Sequence, residues 1–152
     1  MKRRISITTA SILLALAMVG CGNARTDVMN EITVSSEEAM QITVTFMNGD
    51  LVLNGPLVLP KECSRTTPVA IMVTGSGQQN RDEELFEHKP FAVIADAFAR
   101  AGIATLRYDD RGFSGYKGDI NACTVEDFKN DALAGILLLR ERFDKVGVIG
   151  HS

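Results

Sequence analysis

An apolar run at residues 146–149 leads directly into Gly150-His151-Ser152. A glycine, any residue and a serine at the end of a buried strand are the first three positions of G-x-S-x-G. That pattern is the strand-to-helix turn that lifts a serine hydroxyl above a sheet, and glycines are expected beside it because side chains would collide there. A serine so placed attacks a carbonyl carbon, and negative charge then builds on the carbonyl oxygen. Preorganised N–H groups that meet this charge lower the barrier, by roughly 3 kcal/mol for one donor. Thr74-Gly75-Ser76-Gly77 follows a second apolar run, at 69–73, and is suited to supply one such donor. Its glycines let the backbone approach a substrate closely. Gly-x-Ser alone recurs as a plain turn in many proteins; its place after an apolar strand, together with the second loop, carries the reading. Neither G-x-x-x-x-G-K-[ST] nor G-x-G-x-x-G follows the 69–73 run, which argues against a phosphate-binding loop.

Asp109, Asp110 and Arg111 could by residue type form a catalytic acid or a metal site. They read better as an Arg–carboxylate cluster, with Asp110 and Arg111 bracing a loop above the sheet. No metal and no organic cofactor is implied. The charged run 81–84 reads as a solvated loop that could rim a substrate pocket. Cys63 and Cys123 fall just before one strand and just after another, at opposite ends of a parallel sheet. A disulfide needs Cα atoms within roughly 7 Å, so these are read as free, partly buried thiols.

The elements that must position these residues follow from periodicity. Ile42, Val44 and Phe46 alternate, Asn48-Gly49-Asp50 marks a turn, and 51–59 alternates again, which predicts an antiparallel hairpin. Gly55-Pro56 within its second arm suggests a bulge or an edge position. Residues 69–73, 103–106 and 146–149 are continuous apolar runs, as expected of strands covered on both faces. Between them lie two helical patterns. In 90–101, Phe91, Ile94, Ala95 and Phe98 share a face, with Pro90 in the first turn and Gly102 at the end. The other starts at Thr124 with Asp127 in a capping-box position, and Val125, Phe128, Ala132, Ile136, Leu139 and Phe143 are expected on its buried face. Strands alternating with helices imply right-handed crossovers and a parallel sheet.

The first 21 residues stand apart. Lys2, Arg3 and Arg4 precede an apolar run at 5–19, and Met18-Val19-Gly20-Cys21 closes it, which is the layout of a secretory signal. The segment resembles a bacterial lipoprotein signal, which implies lipidation of Cys21 and a membrane-anchored, exported protein on the periplasmic or cell-surface side. Ala15-Leu16-Ala17 would instead suit ordinary signal-peptidase cleavage. The polar stretch 22–37 reads as a tether and 38–152 as the folded domain. Net charge is −3, with no basic stripe beyond the first four residues, so nucleic acid is not an expected partner.

The motifs Gly75-Ser76-Gly77, Arg81-Asp82-Glu83, His88-Lys89-Pro90-Phe91, the 106–112 stretch and Gly150-His151-Ser152, taken in this order, resemble EstD-like esterases of the α/β-hydrolase superfamily. The likeness runs from about residue 41 to Ser152 and departs after Arg111, where Gly112-Phe113-Ser114-Gly115 shifts the usual glycine pattern. It implies an α/β fold, a partial α/β-hydrolase in which the N-terminal β-hairpin precedes a βαβαβ parallel sheet ending at the nucleophile elbow. In that order the 103–107 strand lies between the hairpin and the 69–73 strand. It also implies Ser152 as the nucleophile, the Ser76 or Gly77 amide as an oxyanion donor, and a small-molecule or glycan-linked ester as substrate. Triad order in this fold is Ser, then acid, then His, so neither His88 nor His151 is the general base. Acid, base and second oxyanion donor are therefore expected beyond residue 152, and the chain by itself is expected to be truncated and inactive. Two other readings stay open: a serine peptidase of the prolyl-oligopeptidase or aminopeptidase type, and a non-catalytic lipoprotein that binds a partner.

Overall fold

The computed structural model describes residues 32–34, 39–113 and 116–151. The signal segment with Cys21, most of the expected tether, Ser114, Gly115 and the expected nucleophile Ser152 lie outside the described residues. The strands are β1 Ile32–Val34, β2 Ala39–Asn48, β3 Leu51–Pro60, β4 Val69–Val73, β5 Ala104–Arg107 and β6 Val146–Gly150. Helix α1 is Pro90–Arg100, α2 is Val125–Arg140, and a single 3₁₀ turn spans Ile120–Ala122. The sheet order is β1-β2-β3-β5-β4-β6. β2 and β3 form the expected hairpin, with Asn48 opposite Leu51. β5 pairs antiparallel with β3 and parallel with β4, and β6 adds in parallel to the far side of β4. This is the order expected of a partial α/β-hydrolase sheet.

The periodicities explain the layering. Val69, Ala70, Ile71 and Met72 are all buried, because α1 covers one face of β4 and α2 the other. On the α1 face Phe91, Ala95 and Ala99 pack with Val58 and Met72. On the α2 face Leu139 packs with Phe46, Leu53, Ile71 and Leu106. Leu53, Ile71, Met72 and Leu106 have no exposed surface, and full burial of each is worth about 1.5–3 kcal/mol. Gly102, at φ +80, ends α1 in the left-handed conformation, and the Ile103 amide bonds back to the Phe98 carbonyl at 2.9 Å. Asp127 caps α2 by accepting from both the amide and the hydroxyl of Thr124 at 2.8 Å.

Several local expectations are corrected. Residues 32–34, at the end of the expected tether, pair with β2 as a short edge strand. Gly55-Pro56 forms neither a bulge nor an edge: both residues hold regular register with β2, and β3 lies between β2 and β5. Glycine is needed at 55 because a Cβ there would sit 1.8 Å from the Arg107 carbonyl oxygen. On α2 the most buried residues are Asp131, Gly135 and Leu139, while Val125 is 86% exposed, because the first turn projects past the sheet. The 146–149 run, expected to be a strand covered on both faces, is not: among the described residues β6 lies at the edge of the sheet opposite β1, and none of its residues is buried. Cys63 and Cys123 are free, Cys63 exposed and Cys123 partly buried. Among the described residues no helix is long and apolar enough to cross a membrane.

Candidate active site

The chemistry-bearing loops leave the C-terminal ends of β4, β5 and β6. Chain order places β5 on one side of β4 and β6 on the other, with α1 and α2 on opposite faces. The crevice outside the end of β4 is thus a switch point, where open α/β sheets bind ligands. A cavity of about 560 Å³ opens there. The 74–78 loop, Asp110 and His151 line one part of it, and Tyr108, Ile120, Val125 and Phe128 give an apolar wall. Its volume lies within the roughly 300–1,000 Å³ usual for small-molecule sites.

Of the residues singled out from the sequence, Ser76, Gly77 and His151 meet at this cavity, and Gly150 precedes His151 at the end of β6. Gly77 lies at φ +95, which favours glycine whatever the space available. At Gly150 an added Cβ meets nothing within 4 Å, so the collision expected beside the elbow is not found among the described residues. The Gly75 amide donates to Glu83 Oε1. Among the described residues the Ser76 and Gly77 amides have no hydrogen-bond partner, nor has that of Gln78 on the same cavity, which leaves these N–H groups available to a ligand oxygen. The His151 amide continues the β4–β6 ladder by donating to the Val73 carbonyl at 3.1 Å.

The charged residues divide into separate braces rather than one cluster. Asp109 accepts from the Arg81 amide at 2.8 Å and from its guanidinium Nε at 2.9 Å. Burial alone would raise the Asp109 carboxyl, but the Arg81 hydrogen bonds and charge outweigh it and hold the carboxyl below the ordinary range. Asp110 accepts from the Thr74 hydroxyl at 2.8 Å and from the Gln79 amide at 3.1 Å, which pins both ends of the 74–79 loop. Its burial pushes the carboxyl up in spite of these bonds. Arg111 turns away from the loop and clamps Asp131 of α2, through Nε at 2.6 Å and Nη2 at 2.7 Å. Arg107 pairs with Asp82, and its burial lowers the guanidinium pKa.

The expectation of a solvated loop at 81–84 is therefore corrected. Arg81 and Asp82 anchor to the end of β5, and Glu83 is buried under the cavity between Gly75 and His151. Sequence reasoning also missed Asp131. Its signal was a carboxylate three residues after Phe128 and four before Gly135, inside an otherwise small or apolar stripe that only a buried cation could balance. Among the described residues no group of three or more His, Cys, Asp or Glu could hold a metal ion.

No protein-family model matches the chain. Over 114 residues it is 37% identical to Esterase EstD of Thermotoga maritima; the match takes in 71% of this chain, which spans 27% of that relative's length. Among solved structures, Est1E from Butyrivibrio proteoclasticus is similar at a TM-score of 0.53 with 21% identity, over 76% of this chain and 41% of that one. A cold-adapted esterase from an Arctic intertidal metagenomic library is similar at a TM-score of 0.58 with 14% identity, over 82% of this chain and 53% of that one. These structural likenesses establish the fold, and over the matched residues the sequence is similar to that of Esterase EstD.

Proposed function

We propose that this EstD-like chain is the N-terminal part of a carboxylic-ester hydrolase that works through an acyl-serine intermediate on Ser152. The observation that carries the reading is the convergence of the 75–77 loop, with its unpaired Ser76 and Gly77 amides, and the β6 end on one cavity at the sheet's switch point. Ser152 Oγ attacks the ester carbonyl carbon as a base takes its proton. The carbonyl π bond opens to an oxyanion, which the Ser76 or Gly77 amide meets together with the amide following Ser152. Collapse of that intermediate expels the alcohol, which leaves with the proton from the base, and water then releases the acid by the same route. Acid and base follow the nucleophile in the chain order of this fold. The apolar wall of Ile120, Val125 and Phe128 suits one non-polar arm of the ester, while the Asp110 carboxylate disfavours an anionic group deep in the cavity.

The test uses the full-length protein. A fluorophosphonate probe labels Ser152, and Ser152→Ala abolishes labelling and lowers p-nitrophenyl ester turnover by at least about 10⁴-fold. A folded protein that resists the probe, or that prefers peptide amides to short acyl esters, would contradict the reading.

A further inference from the structure

We infer that Glu83 is a positioning residue, a carboxylate clamp that sets the oxyanion loop against the nucleophile turn. Its two ends of contact lie on different elements. Oε1 accepts the Gly75 amide of the loop after β4, and the same carboxylate meets His151 Nδ1, beside the nucleophile position after β6, at 2.9 Å through Oε2. The Glu83 side chain is 9% exposed although carboxylates are seldom buried without a cation, whereas the His151 ring is 64% exposed. The backbone at Glu83 has φ +49, in the left-handed region that a glutamate seldom adopts. Strain of this kind persists where surrounding contacts over-determine it, and here they do. Arg81 and Asp82, the two residues before it, are tied to Asp109 and Arg107 at the end of β5. Asn80 Oδ1 accepts the amides on either side of Glu83, from Asp82 at 3.0 Å and Glu84 at 3.1 Å.

The consequence is directional. With the Gly75 N–H engaged by Glu83, the following amides of Ser76 and Gly77, at residues that line the cavity, remain unpaired. The contact to His151 ties this loop to the end of β6. Near-attack geometry is sensitive to displacements of this order, and a 1 Å misplacement can cost about 100-fold in rate. The inference rests on the ester-hydrolase reading above for its catalytic meaning, but the clamp itself is a structural claim with its own readout.

The experiment compares Glu83→Gln, Glu83→Asp and Glu83→Ala in the full-length protein. Glutamine keeps the reach, an acceptor for Gly75 and a donor for the imidazole; aspartate keeps the charge but is one carbon too short to hold both partners. Glu83→Ala and Glu83→Asp are expected to lower kcat about 10- to 100-fold with KM within about threefold, and Glu83→Gln to recover most of the loss. Affinity for a boronic acid, which mimics the tetrahedral intermediate, falls in step with kcat. A merely structural Glu83 would lower the melting temperature and leave kcat and boronate affinity per folded molecule unchanged. Amide hydrogen exchange at Gly75 is expected to be slow in the wild type and faster in Glu83→Ala. Wild-type kcat in folded Glu83→Ala, an aspartate variant that equals or exceeds the glutamine variant, or unchanged Gly75 exchange would overturn the clamp. Failure of the wild type to react with a fluorophosphonate would instead remove the hydrolase reading, with Gly75 exchange still reporting on the clamp.

Discussion

Replacing Arg111 with alanine isolates the most buried ion pair described in the protein. The Arg111 and Asp131 side chains are 7% and 2% exposed, and two guanidinium nitrogens reach the carboxylate at 2.6 and 2.7 Å. Truncation leaves Asp131 with one remaining donor, Asn48 Nδ2 at 2.7 Å, in a site that water does not enter freely. Breaking such a pair by removing one partner costs about 3–5 kcal/mol, mostly the uncompensated charge. The guanidinium also lies 5.2 Å from the Tyr116 ring centre and 5.8 Å from that of Phe128; each such contact adds roughly 0.5–1 kcal/mol. A loss of about 4 kcal/mol, with a urea m-value of about 2 kcal/mol/M, lowers the unfolding midpoint by roughly 2 M. Replacing both partners with apolar residues, Arg111→Met with Asp131→Leu, removes the stranded charge and is expected to recover most of that loss. Urea unfolding followed by circular dichroism reads both variants. A loss below about 1 kcal/mol for Arg111→Ala, or a double variant as unstable as the single one, would refute this account of the pair.

Gly55→Ala is expected to cost more than 3 kcal/mol or to prevent folding, since the new Cβ meets backbone at Arg107 and Tyr108 that has nowhere to go. Gly135→Ala places its Cβ 2.5 Å from Ile71 Cδ1, a side-chain tip that can move. The helix-propensity gain of about 1 kcal/mol offsets that repacking, so thermal melts should rank Gly55→Ala far below Gly135→Ala; the reverse order would sink the steric argument. Asp109→Asn tests the Arg81 brace through pH. The Asp109 carboxyl is held below its ordinary value in the folded protein, so its stabilisation is fully present above about pH 4 and lost as pH falls through the lower folded pKa. The gap in unfolding free energy between wild type and Asp109→Asn should therefore be widest above pH 5 and narrow toward pH 2. A gap constant over that range would mean that Asp109 acts through shape alone.

The sheet was legible because its central strands carry their burial in the sequence. Residues 69–73 are apolar without a break, and only a strand covered on both faces can use such a run. The turn at 48–50, Gly102 and the Thr124–Asp127 cap punctuate the elements with local chemistry, so their ends could be placed without knowledge of the fold. What escaped was set by distant backbone. The demand for glycine at 55 comes from a strand 52 residues later in the chain, 107 − 55, and no local pattern separates that demand from a bulge. The first turn of α2 shows the limit of periodicity: the helical repeat puts Val125 on the apolar stripe, but the sheet does not extend beneath it.

The candidate site divides along the same line. Ser76, Gly77, Gly150 and His151 were found because glycines beside strand ends are a local requirement of a tight turn near a ligand. The braces were misjudged because charge in a loop has two physical outcomes that look alike in sequence. Arg81, Asp82 and Glu83 would lie in water if nothing opposite them carried a complementary group. In this fold the end of β5 delivers Arg107 and Asp109 to that place, and β6 delivers His151. Parallel strands with right-handed crossovers must bring all their C-terminal loops to one rim. Polar groups scattered from 81 to 151 are thereby made neighbours by topology, and Arg81 meets Asp109, Asp82 meets Arg107 and Glu83 meets His151 there. A charged run that directly follows a glycine loop at the end of a parallel strand is, on this reasoning, better assigned to the support of the neighbouring loops than to solvent. Glu83 is the strictest case, since its buried carboxylate meets partners 8 and 68 residues away in sequence and so joins loops that no segment of the chain connects directly.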